Sequence, residues 1–248
     1  MEKKILLTIA YDGTSFFGWQ VQKDPDVRTV QGEVQKALTK LFKTEIEVTG
    51  ASRTDRGVHA MGQRATIVVD TTMPVENMPS AMNSVLPKDI AVQKAEEVPF
   101  EFHPRFDAKN KTYIYTIYPS RIRNPLYRNI SEPVKWKLDI KKMQEAAKAF
   151  IGTHDFKGFC FSGNSSKTTV RTIFSLEVYE EGEFIKIAVN GDGFLYNMVR
   201  IIAGTLIQVG AGKIAPEDME DIIASGDRSR AGHTAGPSGL MLKNIEYN

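Results

Sequence analysis

The strongest constraint on this fold is the order of its helical and extended periodicities, because one order occurs twice. Lys4–Tyr11 sets Ile5, Leu7, Ile9 and Tyr11 on alternate positions, the period of a half-buried strand. A helix is expected from Thr29 as N-cap, with Val30, Val34, Ala37, Leu38 and Leu41 on one face. Strands at Ile46–Thr49 and Ala65–Asp70 follow, then a helix over Val75–Val85 that stops before Pro87, and a strand at Ile90–Lys94. In the second half, Lys111–Tyr118 alternates as a strand with Tyr113, Tyr115 and Ile117 on one face. Asp139 caps a helix over Ile140–Ile151, closed by Gly152. A hairpin joins Ile173–Tyr179 to Phe184–Asn190. After it come a mostly apolar helix Phe194–Val209, a short amphipathic helix near Pro216 and a strand Leu240–Tyr247. Each half reads β-α-β-β-α-β. The expectation is an α+β chain of two split-βαβ, ferredoxin-like subdomains, 1–107 and 108–248, with mainly antiparallel sheets joined around a central cleft. The polar run Ser162–Thr169 reads as a mobile connector.

Composition narrows the chemistry. At 248 residues the chain supports such a pair of subdomains. Cys160 is its one cysteine, which leaves no internal disulfide and no multi-cysteine metal site. His59, His103, His154 and His233 are scattered without helical ligand spacing, so metal catalysis is not expected. The apolar run Ile5–Ala10 is too short for a signal peptide. The apolar stretch Phe194–Val209 carries Asn197, Arg200 and Gln208, so no membrane span is expected and the chain is assigned to the cytoplasm.

The loop Gly50–Ala60 sets Asp55 between Arg53 and Arg56, with Gly50 and Gly57 at its flanks. Glycines here mark a shaped loop, and flanking guanidiniums favour an ionised carboxylate, which is what a nucleophile requires. On its own, the same pattern reads more readily as a surface turn whose Asp pairs with its arginines.

Three further features bear on function. Lys109–Tyr118 brackets a tyrosine strand with lysines. Tyr115 reads as sheet packing, and an aromatic near the strand start offers a stacking surface for a base. Gly191-Asp192-Gly193 precedes a helix but lacks both the Walker lysine and dinucleotide glycine spacing. In that helix Arg200 interrupts an apolar face, and a buried guanidinium needs an acidic partner, for which Asp55 is a candidate. Finally, Arg121, Arg123, Arg128, Lys135, Lys137, Lys141, Lys142, Lys157, Lys167 and Arg171 lie among aromatics in connecting segments. In a chain of net charge +2 they favour a focused polyanion surface. These residues alone favour RNA or DNA over a small acidic ligand and do not identify a reaction. Beside a nucleic-acid-acting enzyme they leave open a binding or folding module with Asp55 in a structural ion pair and a phosphate-handling enzyme using Gly191–Arg200.

Arg53-Thr54-Asp55-x-Gly57-Val58-His59-Ala60, followed by Gly62-Gln63, resembles the nucleophile motif of the TruA family of tRNA pseudouridine synthases. The resemblance runs along the chain. It takes in Tyr11-Asp12-Gly13, Phe17-Gly18-Trp19-Gln20, Val30-Gln31-Gly32, Phe102-His103-x-Arg105-Phe106, Lys111-x-Tyr113-x-Tyr115, Met198-Val199-Arg200 and Pro237-Ser238-Gly239-Leu240. It implies conversion of uridine to pseudouridine in the tRNA anticodon stem-loop, without cofactor or metal, by a homodimer. It further implies Asp55 as nucleophile, Tyr113 stacking on the target base, Arg200 pairing with Asp55, and Arg53 displacing the nucleotide, with Arg56 and His59 also on the substrate side. Ser52 stands where the family often has Gly, and Arg56 where it often has Ala.

Overall fold

The computed structural model describes residues 2–24, 26–161 and 167–247. The chain is α+β and divides into two compact units: Met1–Lys109 with Leu242–Asn248, and Asn110–Met241.

The first unit contains β1 (Glu2–Tyr11), α1 (Val30–Phe42), β2 (Thr49–Gly50), β3 (His59–Asp70), α2 (Met78–Asn83) and β4 (Ile90–Glu97). Strand order runs β4-β1-β3, with β2 against β3, and the pairings are antiparallel. The alternation in β1 is a core face: Ile5, Leu7, Ile9 and Tyr11 are all buried. Thr29 caps α1, its side chain accepting from the Gly32 amide, and Val30, Val34, Ala37 and Leu38 are buried, whereas Leu41 at the helix end is half-buried. Between Ile9↔Gln63 and Tyr11↔Ala60 the β1–β3 register shifts, so β3 carries an extra residue beside the end of the Asp55 loop.

Two expectations in this unit need correction. The run Ile46–Thr49 is not a strand: only Thr49–Gly50 pair, while Ile46 and Val48 bury their side chains from irregular backbone. The helix foreseen over Val75–Val85 begins as a 3-10 turn, Val75–Asn77, because Pro79 suits only the first turn of the α-helix that follows.

The second unit contains β5 (Asn110–Pro119), β6 (Glu132–Val134), α3 (Ile140–Lys148), β7 (Gly152–Asp155), β8 (Val170–Glu181), β9 (Phe184–Gly191), α4 (Met198–Gly210) and α5 (Met219–Ser225). The chain's last strand is β10 (Leu240–Glu246), whose residues from Leu242 onward belong with the first unit, next to β3. In the second unit the order is β5-β9-β8-β7, antiparallel, with β6 parallel to β5. The β8–β9 hairpin turns at Gly182-Glu183, where Gly182 has φ +61°. Asp139 caps α3 by accepting from the Lys142 amide.

The apolar helix starts at Met198, not Phe194. Asn197 adopts φ 62°, and Gly193–Tyr196 form the approach to it. Of the Ser162–Thr169 connector, 162–166 lie outside the described residues. Thr169 is described and donates from its hydroxyl to the Asp155 carboxylate.

Candidate active site

Two constellations bear on the chemistry, one in each unit. In the first, Asp55 is half-buried at the tip of a loop, with Arg53 and Arg56 exposed on either side. The loop is fastened from several directions. Thr54 Oγ1 lies 2.8 Å from the Tyr11 hydroxyl in a buried hydrogen bond. The Thr54 carbonyl accepts from the Trp19 amide at 3.1 Å, and the Gly57 amide donates to the Phe16 carbonyl at 3.1 Å. At the loop's base the fully buried Gln63 donates from Nε2 to the Ser52 carbonyl at 2.6 Å and accepts from the Ser52 amide at 3.2 Å. The buried Trp19 ring lies directly against Gly50.

Gly18 is required between these segments. Its φ is +89°, and a Cβ there would collide with the Thr54 carbonyl oxygen. The residue pairs Phe16-Phe17 and Gly18-Trp19 therefore wrap closely around the nucleophile candidate. That explains why an aromatic, glycine-bearing stretch far away in sequence belongs to the same loop system.

His59 is buried and its Nδ1 lies 3.0 Å from the Gly13 amide, which donates to it. The Asp12 carboxylate is 3.2 Å from that nitrogen. Burial pushes the Asp12 carboxyl upward. Hydrogen bonds from the Thr14 hydroxyl and amide, together with the neighbouring His59, outweigh it and hold the group below the usual carboxylate range. His59 thus sits beneath the Asp12–Gly13 turn.

In the second constellation Tyr113 is buried on β5 opposite Val189. Its ring meets Phe194 edge to face, with centroids 5.3 Å apart. Tyr115, which read as packing, is fully buried, and its hydroxyl donates to the Gly236 carbonyl at 2.8 Å. Arg200 is half-buried within an otherwise buried stretch of α4. Its Nε donates to the Ala235 carbonyl at 2.8 Å and its Nη1 to Asn197 Oδ1 at 2.7 Å, while its own carbonyl accepts from the Ala235 amide at 3.1 Å. These bonds aim the guanidinium along a fixed direction.

One contributor was not legible in the sequence. Glu132 lies against Gly236, with no room for a Cβ between them, and hydrogen-bonds the Gly236 backbone and the Tyr115 side chain. Burial raises its carboxyl above the usual range, although His233, Gly236 and Arg200 act in the opposite direction. Burial likewise drives the Tyr115 phenol upward, with Glu132 adding to the shift. A lone acidic residue before Pro133 carries no sequence signal of such a position. Among the described residues no group of three or more His, Cys, Asp or Glu is placed to hold a metal ion. No described helix is long and apolar enough to cross a membrane.

The first unit thus presents an arginine-flanked carboxylate in a clamped loop, and the second a buried tyrosine and an oriented guanidinium. Comparison with known proteins supplies the class. A family model described as tRNA pseudouridine synthase matches residues 7–107 and 146–248. Curated relatives named tRNA pseudouridine synthase A align along the whole length. One, named tRNA pseudouridine synthase A 2, from Clostridium tetani, is 47% identical over 100% of both chains. One from Ruminiclostridium cellulolyticum is 50% identical and one from Caldicellulosiruptor bescii 46%, each over 99% of this chain and 100% of the relative. The chain belongs to the tRNA pseudouridine synthase family, a class of RNA-modifying isomerases.

Proposed function

We propose that this enzyme isomerises particular uridines in the tRNA anticodon stem-loop, with Asp55 as the catalytic nucleophile. The observation that carries the reading is a family match that includes both the Asp55 loop and Arg200, with Tyr113 lying between the matched spans. The reaction breaks the N1–C1′ bond, turns the uracil and rejoins it through C5. C5 loses its proton and N1, released from C1′, gains one, so the product is an isomer of the substrate. An ionised carboxylate held on a clamped loop suits the nucleophilic step.

In this reading Tyr113 stacks on the extracted base, and its hydroxyl assists removal of the C5 proton. Base–aromatic stacking contributes about 1–3 kcal/mol, comparable to the few kcal/mol that extracting a nucleotide costs. Arg200 serves as the partner of the ionised Asp55, and the Ala235 and Asn197 contacts set its direction. Arg53 and Arg56 contact the RNA, while His59 serves the substrate side through the Asp12–Gly13 turn above it. The enzyme works as a homodimer in the cytoplasm.

The test uses tRNA tritiated at uracil C5. Wild-type protein is expected to release tritium and Asp55→Asn to retain it. Equal release by the variant overturns the nucleophile assignment, and tight tRNA binding without any release by wild type returns the chain to the binding-module reading.

A further inference from the structure

The segment packed on the Asp55 loop carries two phenylalanines, each stacked by an arginine, and the two stacks differ in a way that packing alone does not require. Arg28 lies 4.1 Å from the centroid of Phe16, a ring that is 1% exposed. Its charge is met by Asp89, with bonds of 2.7 and 2.9 Å. Arg56 lies 4.0 Å from the centroid of Phe17, a ring that is 45% exposed. Among the described residues the Arg56 guanidinium makes this stack and no ion pair.

The second stack is nevertheless held firmly. Phe17 and Arg56 stand on segments cross-linked by the Gly57 amide to the Phe16 carbonyl and by the Trp19 amide to the Thr54 carbonyl. The Phe17 amide itself donates to the Arg28 carbonyl at 2.9 Å. A planar cation therefore sits over an aromatic ring, 4.0 Å from its centroid and one residue from Asp55, and both residues are exposed. Guanidinium planes stack on unpaired nucleobases, and their edges bind phosphate.

We propose that the Phe17–Arg56 stack is a nucleobase-stacking site for a nucleotide flanking the target uridine, with the guanidinium sandwiched between ring and base. The proposal rests on the reading that Asp55 acts on an RNA uridine. It assigns Phe17 a role in binding and makes Arg56 a determinant of which sequence contexts are accepted.

The experiment uses an anticodon stem-loop RNA with 2-aminopurine placed on either side of the converted uridine, bound by full-length protein carrying Asp55→Asn. Stacking quenches 2-aminopurine fluorescence. The parent protein is expected to quench one of the two flanking positions. Adding Arg56→Ala abolishes that quenching and raises Kd about tenfold, in line with one lost base stack. Phe17→Ala gives a similar loss, and the combined variant adds little to either, because both remove one unit. Arg56→Lys keeps the salt dependence of binding but not the quenching, since an ammonium has no plane to stack. Unchanged quenching and Kd in Arg56→Ala overturn the proposal, as does full recovery by Arg56→Lys or strict additivity of the two alanine variants. Tritium release by the protein with Asp55 intact is followed in parallel. If it fails, the isomerase reading falls. If it persists while the Arg56 variants bind normally, only the stacking site falls.

Discussion

The hydroxyls of Tyr11 and Thr54 lie 2.8 Å apart in a buried hydrogen bond, which joins the end of β1 to the residue before Asp55. The nucleophile candidate is thus anchored to a core strand, not only to its own loop. Tyr11→Phe leaves the Thr54 hydroxyl without this partner and is expected to cost about 1–2 kcal/mol of stability. It should also lower kcat, because Asp55 sits on the freed segment. Urea unfolding and turnover on tRNA check both; a cost below about 0.5 kcal/mol with normal kcat would detach this bond from the site.

Gly18 and Gly182 allow strain and crowding to be separated. Both have positive φ, +89° and +61°, but a Cβ at Gly18 would strike the Thr54 carbonyl whereas nothing lies within 4 Å of one at Gly182. Gly182→Ala should cost about 1 kcal/mol, the conformational penalty alone. Gly18→Ala should cost at least about twice that and impair tRNA turnover. Equal melting temperatures for the two variants would contradict this account.

For Tyr113 the edge contact with Phe194 separates ring from hydroxyl. Tyr113→Phe keeps the ring, so tRNA affinity is expected to stay within about twofold while kcat falls about a hundredfold, the scale of a lost proton-transfer group. Tyr113→Ala should lose both affinity and turnover. Normal kinetics with alanine would remove Tyr113 from the site.

Glu132 gives a pH signature of stability. Its folded-state carboxyl is raised above the ordinary 4.5, chiefly by burial. The folded protein therefore binds this proton more tightly than the unfolded chain. The associated stability is full below about pH 4.5 and is lost as pH rises through the folded value. Asp12, held below its ordinary 3.8, has the opposite sign: its contribution is present above that value and lost on acidification. Glu132→Gln should remove a downward slope in unfolding free energy that sets in as pH rises above about 4.5. Parallel wild-type and variant curves over that range would show that Glu132 is not a strained buried acid.

Elements with several periods or a capping residue were legible before any coordinates. Ile5, Leu7, Ile9 and Tyr11 announced β1, and Thr29 and Asp139 announced their helices. Ile46 and Val48 misled because burial, not strand pairing, is what β-branched side chains report at such short length. The start of α4 was misplaced because Phe194 and Leu195 continue the apolar pattern, whereas the positive φ of Asn197 ends it. β6 and β7, with three and four residues, hold too few periods to register. The Asp55 loop and the oddly placed Arg200 stood out from residue type alone. Their supports did not. Tyr11 with Thr54, Gln63 with Ser52 and Glu132 with Gly236 are pairings made by the fold, with no local pattern to mark them.

The packing of Trp19 against Gly50 also gives the protein an optical handle. The chain has 2 tryptophans. Trp19 is 1% exposed beneath the Asp55 loop, and Trp136, in the other unit, is 54% exposed. A neutral quencher such as acrylamide would extinguish Trp136 and leave a blue-shifted residual emission from Trp19. Any loosening of the loop that carries Asp55 would then be read directly as a red shift of that residual light.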